Sequence, residues 1–185
     1  MKKNNKGYTL IELIVVIAIM AVMIGFGILS MSLLLGTQAK GCAQKVSGQL
    51  NETKTGCLSR YNETMTLSYK TKGSDPAIES DGYYAENFIY SIDKNADKYV
   101  LTNSEIRKMG SKKVVITVFL TDGSSFELGT TQSVTVSFNR STGGFERVTV
   151  NGAETNEYIE KMTFSSGART YTISMVAETG KHTLS

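Results

Sequence analysis

From Leu13 to Leu35 the chain carries 23 consecutive residues without a charge, and a single carboxylate, Glu12, stands immediately before them. A predominantly apolar run of this length suits a helix that crosses a bilayer, which needs about 20 such residues. It must be a helix, because lipid offers the backbone no water and the segment has to satisfy its own N–H and C=O groups. Lys2, Lys3 and Lys6 precede the run, with no acidic residue before Glu12. Lysines in that position hold the N-terminal end in the cytoplasm and send the remainder outward. A carboxylate near the start of such a span costs roughly 2.5–3.5 kcal/mol on insertion scales, so residues of this kind are rare and functional. Gly25 and Gly27 each weaken a helix by up to about 1 kcal/mol relative to Ala, which makes the middle of the span its softest part.

Polarity rises after Gly36, yet the helical period continues. Ala39, Ala43, Val46, Leu50, Cys57 and Tyr61 follow one face, with Thr53 or Lys54 filling the gap, while Gln38, Lys40, Lys45, Gln49 and Glu52 fall largely elsewhere. The pattern predicts one helix from about residue 8 to 60. Its first part (8–35) is apolar all round, and its second (36–61) is amphipathic and buries its stripe against the domain that follows. Cys42 and Cys57 lie fifteen residues apart. On an unbroken helix they are roughly 22 Å apart, and a disulfide needs Cα atoms within about 7 Å. Two buried thiols are expected, unless a break near Gly48 or Gly56 lets them meet.

Residues 62–185 read as a β-rich domain, with Thr, Ser, Val, Ile and Tyr frequent and Pro76 the one proline. Strands are predicted at Met65–Tyr69, Tyr83–Ile92, Lys98–Leu101, Lys113–Thr121, Val134–Asn139, Arg147–Val150, Tyr158–Phe164 and Thr170–Val176, with a helical turn at Asn103–Met109. Asp122-Gly123, Gly143-Gly144, Asn151-Gly152 and Ser166-Gly167 are turn signals. No helix of crossover length separates the strands, so antiparallel pairing is expected and the fold class is α+β: a long N-terminal helix packed on an antiparallel sheet.

Gly7-Tyr8-Thr9-Leu10-Ile11-Glu12, behind a short lysine-rich leader and opening the apolar helix, resembles the processing signal of type IV prepilins and type II secretion pseudopilins. The resemblance implies a pilin-like fold and a leader (1–7) that a membrane prepilin peptidase removes between Gly7 and Tyr8. It also implies N-methylation of Tyr8, which stands where the family usually has Phe, and an assembly role for Glu12. Physically, Gly7 has no side chain to obstruct a confined protease site. The cut leaves a cationic amine, and the Glu12 of a neighbouring subunit supplies an anion at the same depth, so a subunit out of register buries an unpaired charge. The implied partners are the peptidase, other pilin or pseudopilin subunits, an inner-membrane assembly platform and the membrane. The implied location is the bacterial cytoplasmic membrane, single-pass with the C-terminal domain outside, and then an extracytoplasmic filament. The succession of helix, Arg60, first strand and paired hairpins is similar to H-type minor pseudopilins and their FimT-like pilus relatives. The filament could serve type II secretion, a type IV pilus or a competence pilus. The competing class is a single-pass, membrane-anchored extracellular binding domain that does not polymerise.

Other constellations are incomplete. Asp93, Asn95 and Asp97 alternate as in the first half of a calcium loop, but Lys98 replaces the turn glycine and Ser104 the closing glutamate; a polar turn is the expectation, with no cofactor. His182 is the only histidine, expected at the surface, so neither a nucleophile–base pair nor a multi-histidine metal site is supported, and no enzyme is expected. The formal charge of +3 falls to zero when Lys2, Lys3 and Lys6 leave with residues 1–7, which gives little electrostatic reason for nucleic-acid binding. Arg107, Lys108, Lys112 and Lys113 form a small basic cluster, a solvated face unless the filament takes up DNA.

Overall fold

The structure, a computed structural model, describes residues 9–59, 62–93 and 98–185, with backbone alone at 25–34, 92, 93, 98 and 147. The chain divides into two compact units, Met1–Leu34 and Leu35–Ser185. Helix α1, Leu10–Ser59, supplies residues to both.

In the first unit every apolar side chain described is exposed, from Leu10 at 79% to Val16 at 50% and Ile24 at 65%. The membrane crossing expected over 8–35 is not borne out: among the described residues no helix is long and apolar enough to cross. Within that expected span, residues 25–34 have no described side chains.

The second unit has α+β architecture, with two antiparallel sheets where one was expected. The first sheet has the order β3-β2-β1-β6-β7-β8 and the second β11-β10-β9-β4-β5. In chain order the strands are β1 (Asn62–Lys70), β2 (Gly82–Asp93), β3 (Lys98–Ser111), β4 (Val115–Leu120), β5 (Ser125–Glu127), β6 (Ser133–Phe138), β7 (Phe145–Val150), β8 (Ala153–Thr155), β9 (Ile159–Ser166), β10 (Arg169–Val176) and β11 (Lys181–Leu184). Alternation fixes the inward faces: Ile116, Val118 and Leu120 on β4 and Met162 and Phe164 on β9 are buried. They share one core with Met65 and Leu67 of β1, Val134 and Val136 of β6, and the α1 residues Cys42, Ala43, Val46, Leu50 and Cys57.

Of the helical stripe expected to be buried, Ala39, Ala43, Val46, Leu50 and Cys57 are buried, and Thr53 rather than Lys54 fills the gap. Tyr61 lies outside the described residues. The helix runs unbroken past Gly48 and Gly56, and both cysteines are free and buried. The helical turn expected at Asn103–Met109 is instead the continuation of β3. Its register against β2 pairs Asn87 with Glu105, Glu86 with Ile106 and Ala85 with Arg107, and ladder pairing overrides the helix preference of Glu, Arg, Lys and Met. The turn signals hold: Asn151 and Gly152 adopt φ of 52° and 81° between β7 and β8, the left-handed pair of a tight hairpin.

Candidate functional site

The N-terminal segment is built from the start of α1. Thr9 precedes the first helical residue, and its backbone N and Oγ1 both donate to Glu12 Oε2 at 2.8 Å. The Glu12 backbone N donates in return to Thr9 Oγ1 at 3.3 Å. This is a reciprocal capping box, in which a threonine and the glutamate three residues on satisfy two of the donors that a helix start leaves free. Glu12 therefore has a partner within its own chain, and its charge sits at the helix terminus where the backbone dipole favours an anion. Sequence reasoning missed this, although Thr9-x-x-Glu12 ahead of an apolar run is its signature. Gly7 and Tyr8, the expected cleavage and methylation residues, lie outside the described residues. Beyond Glu12, the exposed side chains from Leu13 to Ile24 form an apolar surface far larger than a soluble monomer normally leaves open.

A second polar arrangement joins α1 to the first sheet. Asn87 Nδ2, buried on β2, donates to Thr53 Oγ1 at 3.0 Å and to Glu63 Oε1 at 2.8 Å. Thr53 Oγ1 in turn donates to the Gln49 carbonyl at 3.0 Å. Glu63 is only 6% exposed, and burial, its largest influence, raises its carboxyl above the ordinary range, opposed first by the Asn87 bond. Next to this cluster Arg107 ion-pairs with Glu52 of α1 and with Glu105 of β3. The arrangement fixes the helix against β1–β3 and presents no nucleophile beside a base. Sequence reasoning missed it; a lone asparagine within the apolar Tyr83–Ile92 run was the available signal.

The remaining expected residues are dispersed. Asn95 and Asp97 lie outside the described residues, and Asp93, with backbone alone described, closes β2. Among the described residues no group of three or more His, Cys, Asp or Glu side chains is arranged to hold a metal. His182 is half-buried rather than exposed, with Nε2 3.0 Å from the Ser47 carbonyl oxygen. Of the basic cluster, Arg107 is paired as above. Lys108 bonds Ser80 Oγ and lies over the Tyr84 ring, and Lys112 lies 3.5 Å from Asp81. A polar cavity of about 270 Å³ opens beside Cys57, Tyr90, Tyr99, Arg140 and Glu146. Burial pushes the Cys57 thiol up, away from the thiolate that nucleophilic chemistry needs.

A family model described as a prokaryotic N-terminal methylation motif matches residues 2–35. The match ends before the β domain, on which the H-type reading rests. No curated protein and no solved structure matches the chain. Proteins with this motif are structural rather than catalytic; in general they are processed by a prepilin peptidase and assemble with other pilin subunits. The capped Glu12, the exposed apolar helix behind it and the matched segment coincide, and the chain carries the prepilin-type signature at residues 2–35.

Proposed function

We propose that the chain is a structural subunit of a type IV pilus-like filament or type II secretion pseudopilus, cut by prepilin peptidase after Gly7, N-methylated at Tyr8 and assembled through its N-terminal helix. The observation that carries this reading is the match over residues 2–35, whose described apolar side chains, up to Ile24, are exposed behind one capped carboxylate. That surface needs a cover, either lipid before assembly or neighbouring helices after it, and close helix packing substitutes for lipid contacts at little cost. In the filament Glu12 faces the new amine of a neighbour. Among the described residues the capping bonds go to Oε2, and a carboxylate's second oxygen can accept from that partner. Function then resides in the domain 35–185, displayed outside the cytoplasmic membrane as a minor subunit.

Intact-mass and N-terminal analysis of the membrane-extracted protein tests the reading. The expected chain starts at N-methyl-Tyr8. A chain that still begins at Met1, in cells holding an active prepilin peptidase, refutes it.

A further inference from the structure

Four of the seven polar side chains that are buried among the described residues belong to one cluster: Gln49 and Thr53 of α1, Glu63 of β1 and Asn87 of β2. Such a cluster stabilises a fold when every member is satisfied, and this one leaves a member out. Asn87 Nδ2 donates to Thr53 Oγ1 and to Glu63 Oε1, while Asn87 Oδ1 is buried with no hydrogen-bond partner among the described residues. Apolar side chains of the same shape would hold the helix to the sheet without that loss. Packing alone therefore gives no reason for an amide here.

The same contacts hold a hydroxyl against a carboxamide. Thr53 Oγ1 donates its proton to the Gln49 carbonyl at 3.0 Å, which leaves its lone pairs for Asn87. That oxygen is 3.0 Å from Nδ2 and an amide C–N bond is about 1.33 Å long, so it lies within roughly 4.3 Å of Asn87 Cγ. Groups fixed at about 3–3.5 Å react with very high effective molarity, and a small turn of the amide closes the difference. Both groups sit on rigid elements. Thr53 lies inside α1, and Asn87 is paired with Met65 on one side and Glu105 on the other. Glu63 completes the set, because burial raises its carboxyl and so keeps a proton beside the amide nitrogen. It faces that nitrogen and not the hydroxyl, in the position of an acid.

We propose that the Thr53 hydroxyl and the Asn87 carboxamide condense to an intramolecular ester that ties α1 covalently to β2. Thr53 Oγ1 bonds to Cγ, the Cγ–Nδ2 bond breaks, and the nitrogen leaves as ammonia with one proton from Glu63. The proton that Thr53 loses restores the Glu63 carboxyl, so nothing is oxidised or reduced and no other reactant is consumed. Asn87 Oδ1 becomes the ester carbonyl oxygen, and the Glu63 O–H, released from Nδ2, is free to donate to it. Thr53 is fully buried, and exclusion of water protects the bond from hydrolysis. Like any cross-link within a chain, it restricts the unfolded state. The link rests on this cluster alone, whatever becomes of the leader.

The test is a tryptic digest of the full-length chain extracted from membranes, read by mass spectrometry. Trypsin releases Thr53 in residues 46–54 and Asn87 in residues 73–94. The ester should join these two peptides into one species lighter than their sum by one ammonia, about 17 Da. Mild alkali should part the pair and leave an aspartate side chain at position 87. Thr53→Val should give the two peptides unjoined, and Thr53→Ser, which keeps a hydroxyl, should restore the pair. Glu63→Gln keeps an acceptor for Nδ2 but has no proton to give, so it should form the same pair several-fold more slowly after synthesis. Absence of the pair from the parent chain, its presence in Thr53→Val, or an unchanged rate in Glu63→Gln overturns the proposal. So does a loss of ammonia confined to one peptide, as succinimide formation at Asn151-Gly152 would give. Leader cleavage is read from a different peptide, so an unprocessed chain counts against the proposed function without deciding this result.

Discussion

Glu63 is the residue whose environment makes the clearest demand. It is buried against α1, where a Cβ on Gly56 would lie 1.7 Å from its Oε2, and burial holds its carboxyl above the ordinary range. A carboxyl raised in the folded state favours protonation there. The stability it contributes is complete below its unfolded value and is lost as pH rises through the higher folded value. The unfolding midpoint should therefore fall as pH is raised from mildly acidic to neutral. Glu63→Gln keeps an acceptor for Asn87 and should flatten that slope and raise the midpoint at neutral pH; denaturant titrations at several pH values check both. The cysteines give a second expectation. Burial pushes the Cys42 thiol up to about 12 and raises Cys57 as well, so a thiol reagent should label neither in the native chain and both in denaturant.

At the scale of elements, α1 carries two kinds of apolar residue that look alike in composition. Leu50 is fully buried in the core, whereas Ile17 is 58% exposed. Leu50→Ala should cost about 2–5 kcal/mol in the unfolding of residues 35–185, while Ile17→Ala should leave that transition where it is; thermal melts in detergent separate the two. The stripe from Ala39 to Cys57 was legible because a 3.6-residue period survives in any window of that length. β3 was misread beyond Leu101 because Glu105, Arg107, Lys108 and Met109 prefer helix in isolation, and the register with β2 that overrules them is non-local. β5, β8 and β11 were missed for a related reason: three or four residues carry no period, and only their partners define them. The cap at Thr9 was legible in the Thr9-x-x-Glu12 spacing, because Glu12 is the third residue of α1 as well as a charge at the edge of the apolar run.

At the scale of the whole molecule, Gly7, Tyr8 and Glu12 were legible as a motif, whereas how Glu12 is held depends on helix geometry. Under the proposed function, Glu12→Val should leave membrane insertion intact and abolish incorporation into filaments, read by fractionation and by shearing. Within residues 35–185 the two sheets are clasped by their turns. Phe145 N donates to the Ala177 carbonyl at 2.8 Å, and a Cβ on Gly144 would lie 2.4 Å from the Glu178 carbonyl oxygen. Because the obstacle is backbone, Gly144→Ala should lower stability by about 1–3 kcal/mol, measurable by denaturant titration.

The division of strands between the sheets also governs when the fold can close. One sheet draws on residues 62–111 and 133–155, the other on 115–127 and 159–184, so neither is a continuous length of chain. A polypeptide that emerges from its N-terminus can pair β1 with β2 and β3 early. Until Ile159–Ser166 has emerged, however, β4 has only β5 beside it. Pairings this distant in sequence are slow, because loop closure is paid before contact rewards it. The second sheet is thus completed only in the last moments of synthesis, and a chain ending at Ser166, without β10 and β11, should unfold at lower denaturant than the full-length protein, measurable by denaturant titration.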